Sequence, residues 1–231
     1  MTTVLLVRHG LTALTGPVLA GRTPGVDLDE RGRAQAAAVA QRLAGVVLQA
    51  IVSSPLDRCR QTAEVIAAGR EVFAEPRLIE CGYGDWTGQE IKKLAKDPLW
   101  KVVQAHPSAV TFPGEGGEAM RDAQVRAVDA VRSWNARLGA DATWLACSHG
   151  DIIKAVVADA LGMHLDTFQR IVIDPCSVTV ISYTSLRPFV VRVNDTGSDL
   201  ATLLTPPKKG GRKRGAATGS DAVVGGGAGA N

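Results

Sequence analysis

Short apolar runs alternate along the chain with longer segments in which apolar residues recur every three or four positions. The short runs, bounded by polar and glycine-rich stretches, are typical of buried strands, and the wider spacing is typical of helices that pack one face against a sheet. Their alternation predicts an α/β fold with a parallel-sheet core. The predicted strands are 3–7, 50–53, 72–74 and 143–147, followed by a closing hairpin of 178–183 and 189–193.

The predicted helices have recognisable start signals or one-sided apolar patterns. Asp29 is of a residue type that caps helix N-termini, and it precedes an alanine-rich segment that strongly favours helix. Val125, Val128 and Val131 lie at three-residue spacing, which predicts a long amphipathic helix that covers one face of the sheet. The predicted helices are 30–44, 58–68, 91–103, 118–138 and 151–161.

The last part of the chain has a different composition. From about Thr205 onward the sequence reads PPKKGGRKRG and then mainly glycine and alanine, with almost no large apolar residue. Because such a segment cannot offset the entropy lost on ordering, residues 1–204 are predicted to form one domain and residues 205–231 a disordered basic tail. The tail is either a solubilising segment without a partner or a weak contact for nucleic acid or another anionic surface.

Composition narrows the function classes. The formal net charge is +3, and the basic tail supplies the excess, so the globular part gives no reason to expect nucleic-acid binding. No apolar run approaches the ~20 residues that span a bilayer, and the first residues lack the pattern of a secretory signal, which together predict a cytoplasmic protein. The four cysteines are far apart, which predicts reduced thiols rather than disulfides or a zinc site.

Two histidines directly follow predicted strands. Arg8 and His9 come after strand 3–7, and His149 comes after strand 143–147. The carboxyl ends of parallel strands meet at one sheet edge, where ligands bind in α/β folds, and the glycine after each histidine permits close approach of backbone N–H groups to an anion. The residues alone leave a second explanation open, in which both histidines merely hydrogen-bond to backbone at strand ends.

An arginine and a glutamate complete the candidate site. Arg58 lies in the first turn of the helix after strand 50–53, and its planar guanidinium matches phosphate oxygens. Glu80 ends an apolar run before a glycine-rich loop, where a buried carboxyl facing phosphate would hold its proton and protonate a leaving alkoxide. Taken alone, Glu80 is better explained as a surface charge. The set as a whole predicts an anion-binding cup with one acid.

Four segments, LVRHGLT, SSPLDRCRQTA, LIECGYGDWTG and CSHGD, occur in this order between residues 3 and 194. In these segments the chain resembles the histidine phosphatase superfamily, also called phosphoglycerate-mutase-like, and within it an actinobacterial branch of phosphomutases and phosphoglycerate mutases. The resemblance implies a three-layer α/β/α sandwich with a mostly parallel central sheet. It also implies catalytic roles: His9 is the nucleophile that forms a phosphohistidine, Glu80 is the general acid, and the phosphoryl ligands are Arg8, Arg58 and His149. Neither a metal nor a cofactor is expected.

This chemistry constrains protonation. His9 has to attack as neutral imidazole, so its second ring nitrogen is expected to donate to a backbone carbonyl. His149 is expected to act as a cation beside phosphate. The rate is therefore expected to fall in acid, through the ordinary histidine range, as His9 takes up a proton.

Several positions depart from the family pattern. Leu11 stands where many members carry an acid, and Thr15 where they carry asparagine. One phosphate contact is therefore expected to be weakened, lost, or taken over by the hydroxyl of Thr12 or Thr15. The predicted phosphate- and substrate-binding set is completed by Thr15, Gly150 and Arg22, the last on a loop near the cup.

Three functions are compatible with this site. Hydrolysis and phosphoryl isomerisation share the phosphohistidine and differ in whether water or a second substrate hydroxyl receives the phosphoryl group. Dedicated phosphoglycerate mutases carry a longer basic insertion after the loop that follows Glu80, so GDWTG favours a phosphatase of small phosphomonoesters over a mutase. The third function is an inactive phospholigand-binding domain, against which the complete set of nucleophile and acid argues.

Other enzyme classes fit less well. No cysteine is followed six positions later by an arginine, which argues against a cysteine phosphatase, and no GxxxxGK loop supports an NTPase. The expected partner is a small phosphate ester, with no membrane, and with nucleic acid contacted at most weakly through the tail. Related proteins are often homodimers, but the residues leave the oligomeric state open.

Overall fold

The computed structural model of the chain describes residues 1–197 and 224–227. Within them, one sheet is formed by β1 (Thr2–Arg8), β2 (Ala50–Ser53), β3 (Phe73–Ala74), β4 (Thr143–Ser148), β5 (Val178–Tyr183) and β6 (Pro188–Asp195). The strand order is β3-β2-β4-β1-β5-β6. The first four strands in this order pair in parallel, and β5 and β6 form an antiparallel hairpin beside β1.

The helices are α1 (Glu30–Arg42), α2 (Asp57–Ala67), α3 (Ile91–Leu94), α4 (Pro98–Ala105), α5 (Met120–Leu138) and α6 (Gly150–Ala160). One predicted helix, 91–103, is wrong, because the segment breaks into α3 and α4. Pro98 has no N–H with which to continue α3, and the side chain of Asp97 caps the new helix by accepting from the N–H of Leu99 at 2.8 Å. None of the helices in the described residues is long and apolar enough to cross a bilayer.

The sheet separates two hydrophobic cores. Because successive strand residues point to opposite faces, Val4 and Leu6 of β1 pack with α5 and α6, whereas Leu5 and Val7 pack with α1 and α2. All four side chains are buried. The expected three-layer sandwich with a mostly parallel sheet is therefore confirmed.

The C-terminal ends of three parallel strands lie side by side. The register pairs Arg8 of β1 with Ser148 of β4, so that His9 and His149 follow at neighbouring positions, and β2 ends beside them at Ser53. The helix after β1 packs on one face of the sheet and the helix after β4 on the other. In open α/β sheets a ligand crevice forms at the edge where consecutive connections diverge in this way.

The loop after β1 is held against α1 and α2. Asp29 caps α1 as predicted, its Oδ1 accepting from the N–H of Gly32 at 2.7 Å. Gly10 packs backbone to backbone on this turn, and a Cβ at Gly10 would lie 2.6 Å from the carbonyl oxygen of Gly32. The N–H of Gly10 also donates to Thr62 Oγ1 at 3.1 Å. These contacts fix the backbone next to His9, and only glycine leaves room for them.

The predicted tail, residues 205–231, lies mainly outside the described residues, as does the end of the predicted domain after residue 197. Residues 224–227 are the part of the tail that the structure describes. Val224 is 1% exposed and packs in the core on the α5 and α6 side of the sheet. The C-terminal segment 224–227 therefore returns to the edge of the sheet that carries the two histidines.

Candidate active site

A cavity lies at this sheet edge. Four of the five predicted catalytic residues line it, and the fifth, His149, lies directly behind the wall with its ring centroid 5.3 Å from that of His9. The cavity has a volume of about 30 Å³, room for about one or two water molecules. Its walls include Arg8, His9, Thr12, Thr15, Leu19, Arg58, Glu80, Tyr83 and residues 224–226.

The His9 ring is held in one tautomer. Its Nδ1 lies 2.8 Å from the carbonyl oxygen of Gly10, so Nδ1 carries the proton and donates it, as expected from the sequence, and Nε2 keeps its lone pair. Burial, and then the positive charges of Arg58 and Arg8, hold the pKa of His9 well below its ordinary value. His9 is therefore a neutral imidazole with an unprotonated ring nitrogen at physiological pH.

The surroundings of His149 favour its neutral form when no anion is bound, whereas the expectation of a cation concerned His149 beside phosphate. Nη2 of Arg58 donates to His149 Nδ1 at 3.2 Å, so the ring proton lies on Nε2, 2.8 Å from Ser54 Oγ. Burial, and then the charge of Arg58, hold the pKa of His149 well below its ordinary value. A second positive charge so close to Arg58 is unfavourable unless an anion lies between them.

Arg58 presents donors that the protein does not use. Its Nη2 donates to the carbonyl of Gly21 at 2.6 Å and to His149, whereas Nε and Nη1 are buried without an acceptor among the described residues. Buried donors of this kind are rare, because each costs about 1–3 kcal/mol of desolvation that no hydrogen bond offsets. In the wall of a cavity, two such donors on one guanidinium match an oxyanion such as phosphate.

Arg8 is held between the body of the protein and the C-terminal segment. Nη1 donates to the carbonyl of Ile173 at 2.8 Å and to that of Gly227 at 2.7 Å. Nη2 donates to the carbonyls of Gly226 and Gly225, at 3.1 and 3.4 Å. Nε is a third buried guanidinium nitrogen without an acceptor in the described part of the chain.

Glu80 is the acid of the site. The side chain is buried, Oε1 accepts from the N–H of Cys81 at 2.9 Å, and Oε2 lies 3.9 Å from His149 Nδ1. Burial, and then the negative charge of Asp151, raise the pKa of Glu80 to about 7. A large fraction of Glu80 therefore keeps its proton near neutral pH, as a general acid requires.

Two of the remaining predicted binding residues are Thr15, which lies at the cavity, and Gly150, which lies against the C-terminal segment. Thr15 lines the cavity, and its Oγ1 lies 3.0 Å from Thr12 Oγ1, so the two hydroxyls share one hydrogen bond. Gly150 begins α6, and a Cβ at this position would lie 3.0 Å from the carbonyl oxygen of Gly225. The glycine that was expected to admit a bound anion therefore admits the C-terminal segment in this structure.

Arg22 has a different place from the one expected. Its Nη2 pairs with Glu118 at 2.8 Å, and its Nε donates to the backbone carbonyl of Glu80 at 2.8 Å. Arg126 binds the same two partners, with Nε 2.6 Å from Glu118 and Nη2 3.1 Å from the Glu80 carbonyl. Arg22 thus holds the backbone that carries the acid, instead of lining the cavity.

Further residues of the site were missed from the sequence. Ser54, which orients His149, directly follows strand β2, so the sheet-edge rule that found the histidines also marks this serine. Tyr83 donates from its hydroxyl to Asp151 Oδ2 at 2.8 Å, and both side chains are buried. No local pattern in the sequence marks this pair, and none marks the C-terminal segment.

The arrangement combines a neutral nucleophile, a protonated acid and two guanidinium groups at one cavity. Within residues 1–197 and 224–227, no group of three or more His, Cys, Asp or Glu side chains is placed to hold a metal ion. The positive charge at the cavity comes from Arg8 and Arg58. Such a site is suited to binding a phosphoryl group and transferring it to His9.

Comparison with known proteins gives an independent view of the same chain. Residues 4–196 match the model of the histidine phosphatase superfamily (branch 1). The chain is 32% identical over 209 residues to phosphoserine phosphatase 1 of Hydrogenobacter thermophilus, covering 85% of this chain and 93% of that one. It is 30% identical over 213 residues to a probable phosphoglycerate mutase of Photorhabdus laumondii, covering 89% and 97%.

Among solved structures, the fold is similar to that of a mycobacterial glucosyl-3-phosphoglycerate phosphatase in complex with VO3. The TM-score is 0.74 with 27% sequence identity, and the match covers 84% of this chain and 98% of that one.

Proposed function

The chain belongs to the histidine phosphatase superfamily (branch 1), and on this basis we propose that it hydrolyses small phosphomonoesters without a metal, through a phosphohistidine on His9. One observation carries the proposal. His9, with its lone pair on Nε2, shares a cavity with three buried guanidinium nitrogens of Arg8 and Arg58 that have no acceptor among the described residues. These donors match the equatorial oxygens of a phosphoryl group in transfer.

In the first step, Nε2 of His9 attacks phosphorus and the bond to the ester oxygen breaks. The Nδ1 hydrogen bond to Gly10 stabilises the positive charge that develops on the ring. The proton of Glu80 moves to the leaving oxygen, so an alcohol departs rather than an alkoxide. Arg8 and Arg58 stabilise the charge on the phosphoryl oxygens throughout.

In the second step, water attacks the phosphohistidine. Glu80, now a carboxylate, takes a proton from that water, the bond between Nε2 and phosphorus breaks, and inorganic phosphate forms. The acid of the first step is thus regenerated. With phosphate between His149 and Arg58, His149 gains the anion that makes its protonated form favourable, so the expected cationic role is proposed for the loaded site alone.

The choice of phosphatase over mutase rests on the GDWTG segment after Glu80, which lacks the longer basic insertion of dedicated mutases. The relatives include proteins named for each activity. We also place the chain in an actinobacterial branch, supported by its similarity to the mycobacterial phosphatase. We further propose that the protein is cytoplasmic and that its tail contacts nucleic acid at most weakly.

The proposed activity is tested directly by asking whether turnover needs a bisphosphate, which primes a mutase by phosphorylating its histidine. Purified full-length protein is expected to release phosphate from simple phosphomonoesters in multiple turnovers with no bisphosphate present. A panel of phosphorylated metabolites, including phosphoserine and 3-phosphoglycerate, is assayed for free phosphate and for isomerised product. A chain that isomerises phosphoglycerate only when primed, and hydrolyses no ester, is a mutase and contradicts the proposal.

The pH profile of kcat/KM on an alkyl phosphate is expected to be bell-shaped. Because the pKa of Glu80 is about 7, activity falls above neutrality as the acid loses its proton. The acid limb, caused by protonation of His9, lies well below the ordinary histidine range, since burial lowers that pKa. We therefore propose that the decline in acid, expected from the sequence within the ordinary histidine range, begins at lower pH.

Glu80→Gln isolates the alkaline limb. The variant is expected to lose about 10²–10⁴-fold in kcat/KM on an alkyl phosphate and to show no decline near pH 7, since kcat/KM reports transfer of the phosphoryl group to His9 and not the later hydrolysis of the phosphohistidine. With p-nitrophenyl phosphate, whose leaving group departs as an anion, the loss in kcat/KM is expected to be much smaller. Glu64→Gln on the surface of α2 is the matched control. Equal losses on both esters would show that Glu80 does not protonate the leaving group.

A further inference from the structure

The C-terminal segment 224–227 occupies the phosphate side of the cavity. Three consecutive carbonyl oxygens, from Gly225, Gly226 and Gly227, accept hydrogen bonds from the Arg8 guanidinium at 3.4, 3.1 and 2.7 Å. Docking of the segment therefore leaves only Nε of the Arg8 guanidinium without an acceptor among the described residues, and a phosphoryl group would need donors that the segment occupies. The segment and a phosphate ester therefore compete for one set of donors.

Two further contacts hold the segment in place. The side chain of Val224 is 1% exposed and packs in the core, and the N–H of Gly225 donates to Asp151 Oδ2 at 2.9 Å. Asp151 also accepts from the hydroxyl of Tyr83, so the segment joins a buried network next to Glu80. The protein thus offers a partner to each part of the segment: an apolar core to the Val224 side chain, Asp151 to the Gly225 N–H, and Arg8 to the three carbonyls. Together these partners form a binding site for a peptide.

Glycine is required by this geometry. Gly225 and Gly226 have φ values of +77° and +73°, which other residues adopt only at a cost. A Cβ on Gly226 would lie 2.8 Å from Arg8 Nη1, and one on Gly150 would lie 3.0 Å from the carbonyl oxygen of Gly225. The run of glycines allows the backbone itself to reach the guanidinium and the start of α6.

We propose that the crevice between Arg8 and Asp151 is a binding site for the chain's own C-terminal segment 224–227, which acts as a competitive plug of the active site. This inference deepens the proposed function and rests on it for the role of Arg8. With the segment docked, the cavity has a volume of about 30 Å³, and the segment occupies the Nη1 and Nη2 donors of Arg8. A phosphate ester has to displace the segment before it binds.

The energetics favour such an exchange. Carbonyl oxygens carry partial charge, whereas phosphoryl oxygens form stronger, charge-assisted hydrogen bonds to arginine. The segment compensates for its weaker hydrogen bonds because it is part of the same chain, which gives it a high effective concentration at the site. The apparent affinity for an ester is then the intrinsic affinity reduced by the fraction of molecules in which the segment is released.

Gly226→Ala in the full-length chain tests the plug. The added methyl group strains a positive φ and crowds Arg8, so docking is expected to weaken roughly fivefold or more. The KM for p-nitrophenyl phosphate is expected to fall by about the same factor, with kcat unchanged, because saturating substrate displaces the segment in either protein. Gly139→Ala is the matched control, since Gly139 also has a positive φ, +78°, but a Cβ there meets no atom within 4 Å.

Calorimetric titration with inorganic phosphate provides a readout that does not need turnover. Gly226→Ala and a second variant, Val224→Asp, are both expected to bind phosphate several-fold more tightly than the unmodified chain and the Gly139→Ala control. Unchanged or weaker phosphate binding, or a KM that stays constant or rises, overturns the plug. Tighter phosphate binding without hydrolysis of any ester refutes the proposed phosphatase and leaves the competition standing, so the two failures are distinguishable.

Discussion

Replacing His9 by alanine is expected to abolish measurable hydrolysis, with a loss of about 10⁴–10⁶-fold in kcat, the range found when a covalent nucleophile is removed. The reason is geometric as well as chemical. The variant loses the lone pair on Nε2, which the Nδ1 hydrogen bond to Gly10 reserves for phosphorus. Phosphate binding is expected to persist, because Arg8 and Arg58 remain.

Trapping the phosphorylated protein distinguishes a nucleophilic histidine from one that only binds the phosphoryl group. Rapid quenching of the unmodified protein with labelled phosphomonoester at alkaline pH should leave one acid-labile phosphoryl group on His9 and none on His9→Ala. His106→Ala and His164→Ala are matched controls, because both histidines are exposed and pair with Asp166 away from the cavity. Label retained in His9→Ala, or activity within tenfold of the unmodified chain, would remove His9 from the proposed role.

Arg58→Ala is expected to lower kcat by about 10²–10³-fold, comparable to removal of an oxyanion-hole donor. Arg58→Lys keeps the charge but not the planar fork, so it should recover little of this loss. The structural reason is that Nε and Nη1 are the buried donors without acceptors, and a single ammonium cannot replace two such directions. Affinity for phosphate is expected to fall in parallel.

The neighbouring Arg60 offers a matched control for this experiment. Arg60 lies on the same helix but is exposed, and it pairs with Asp57 and Glu64 on the surface. Arg60→Ala should leave kcat and KM within twofold of the unmodified chain, because exposed ion pairs contribute little. A full recovery of activity in Arg58→Lys would mean that charge alone, rather than a set of directed donors, is needed at this position.

The placement of the candidate site could be predicted because it depends on a short-range feature, the residue that follows each strand. His9 and His149 were expected at one edge, and the parallel register of β1 and β4 places their rings 5.3 Å apart. Arg58 and Glu80 were expected at the same cavity and line it. The roles of these residues in catalysis stay predictions until the experiments above are done.

Protonation could not be predicted in the same way, because a pKa is set by burial and by charges from distant parts of the chain. The raised pKa of Glu80 depends on burial and on Asp151, which is far away in sequence. The lowered pKa of His149 depends on burial and then on the charge of Arg58, whose Nη2 donates to its Nδ1. Arg22, expected to read the substrate, holds the Glu80 backbone because its partners come together only in the fold.

By itself, the sequence determined the order of strands and helices, the parallel-sheet core, and which side chains reach the sheet edge. These follow from apolar periodicity and from local residue types, which act over a few positions. The three-layer class of the fold was implied by the resemblance of four short segments to a known family. Only the tertiary structure decided the direction in which the pKa values of His9, His149 and Glu80 shift, the pairing of Arg22 and the docking of Val224–Gly227 on Arg8. Each of these depends on contacts between residues distant in sequence, or on their burial and charge, and a local pattern carries no record of such contacts.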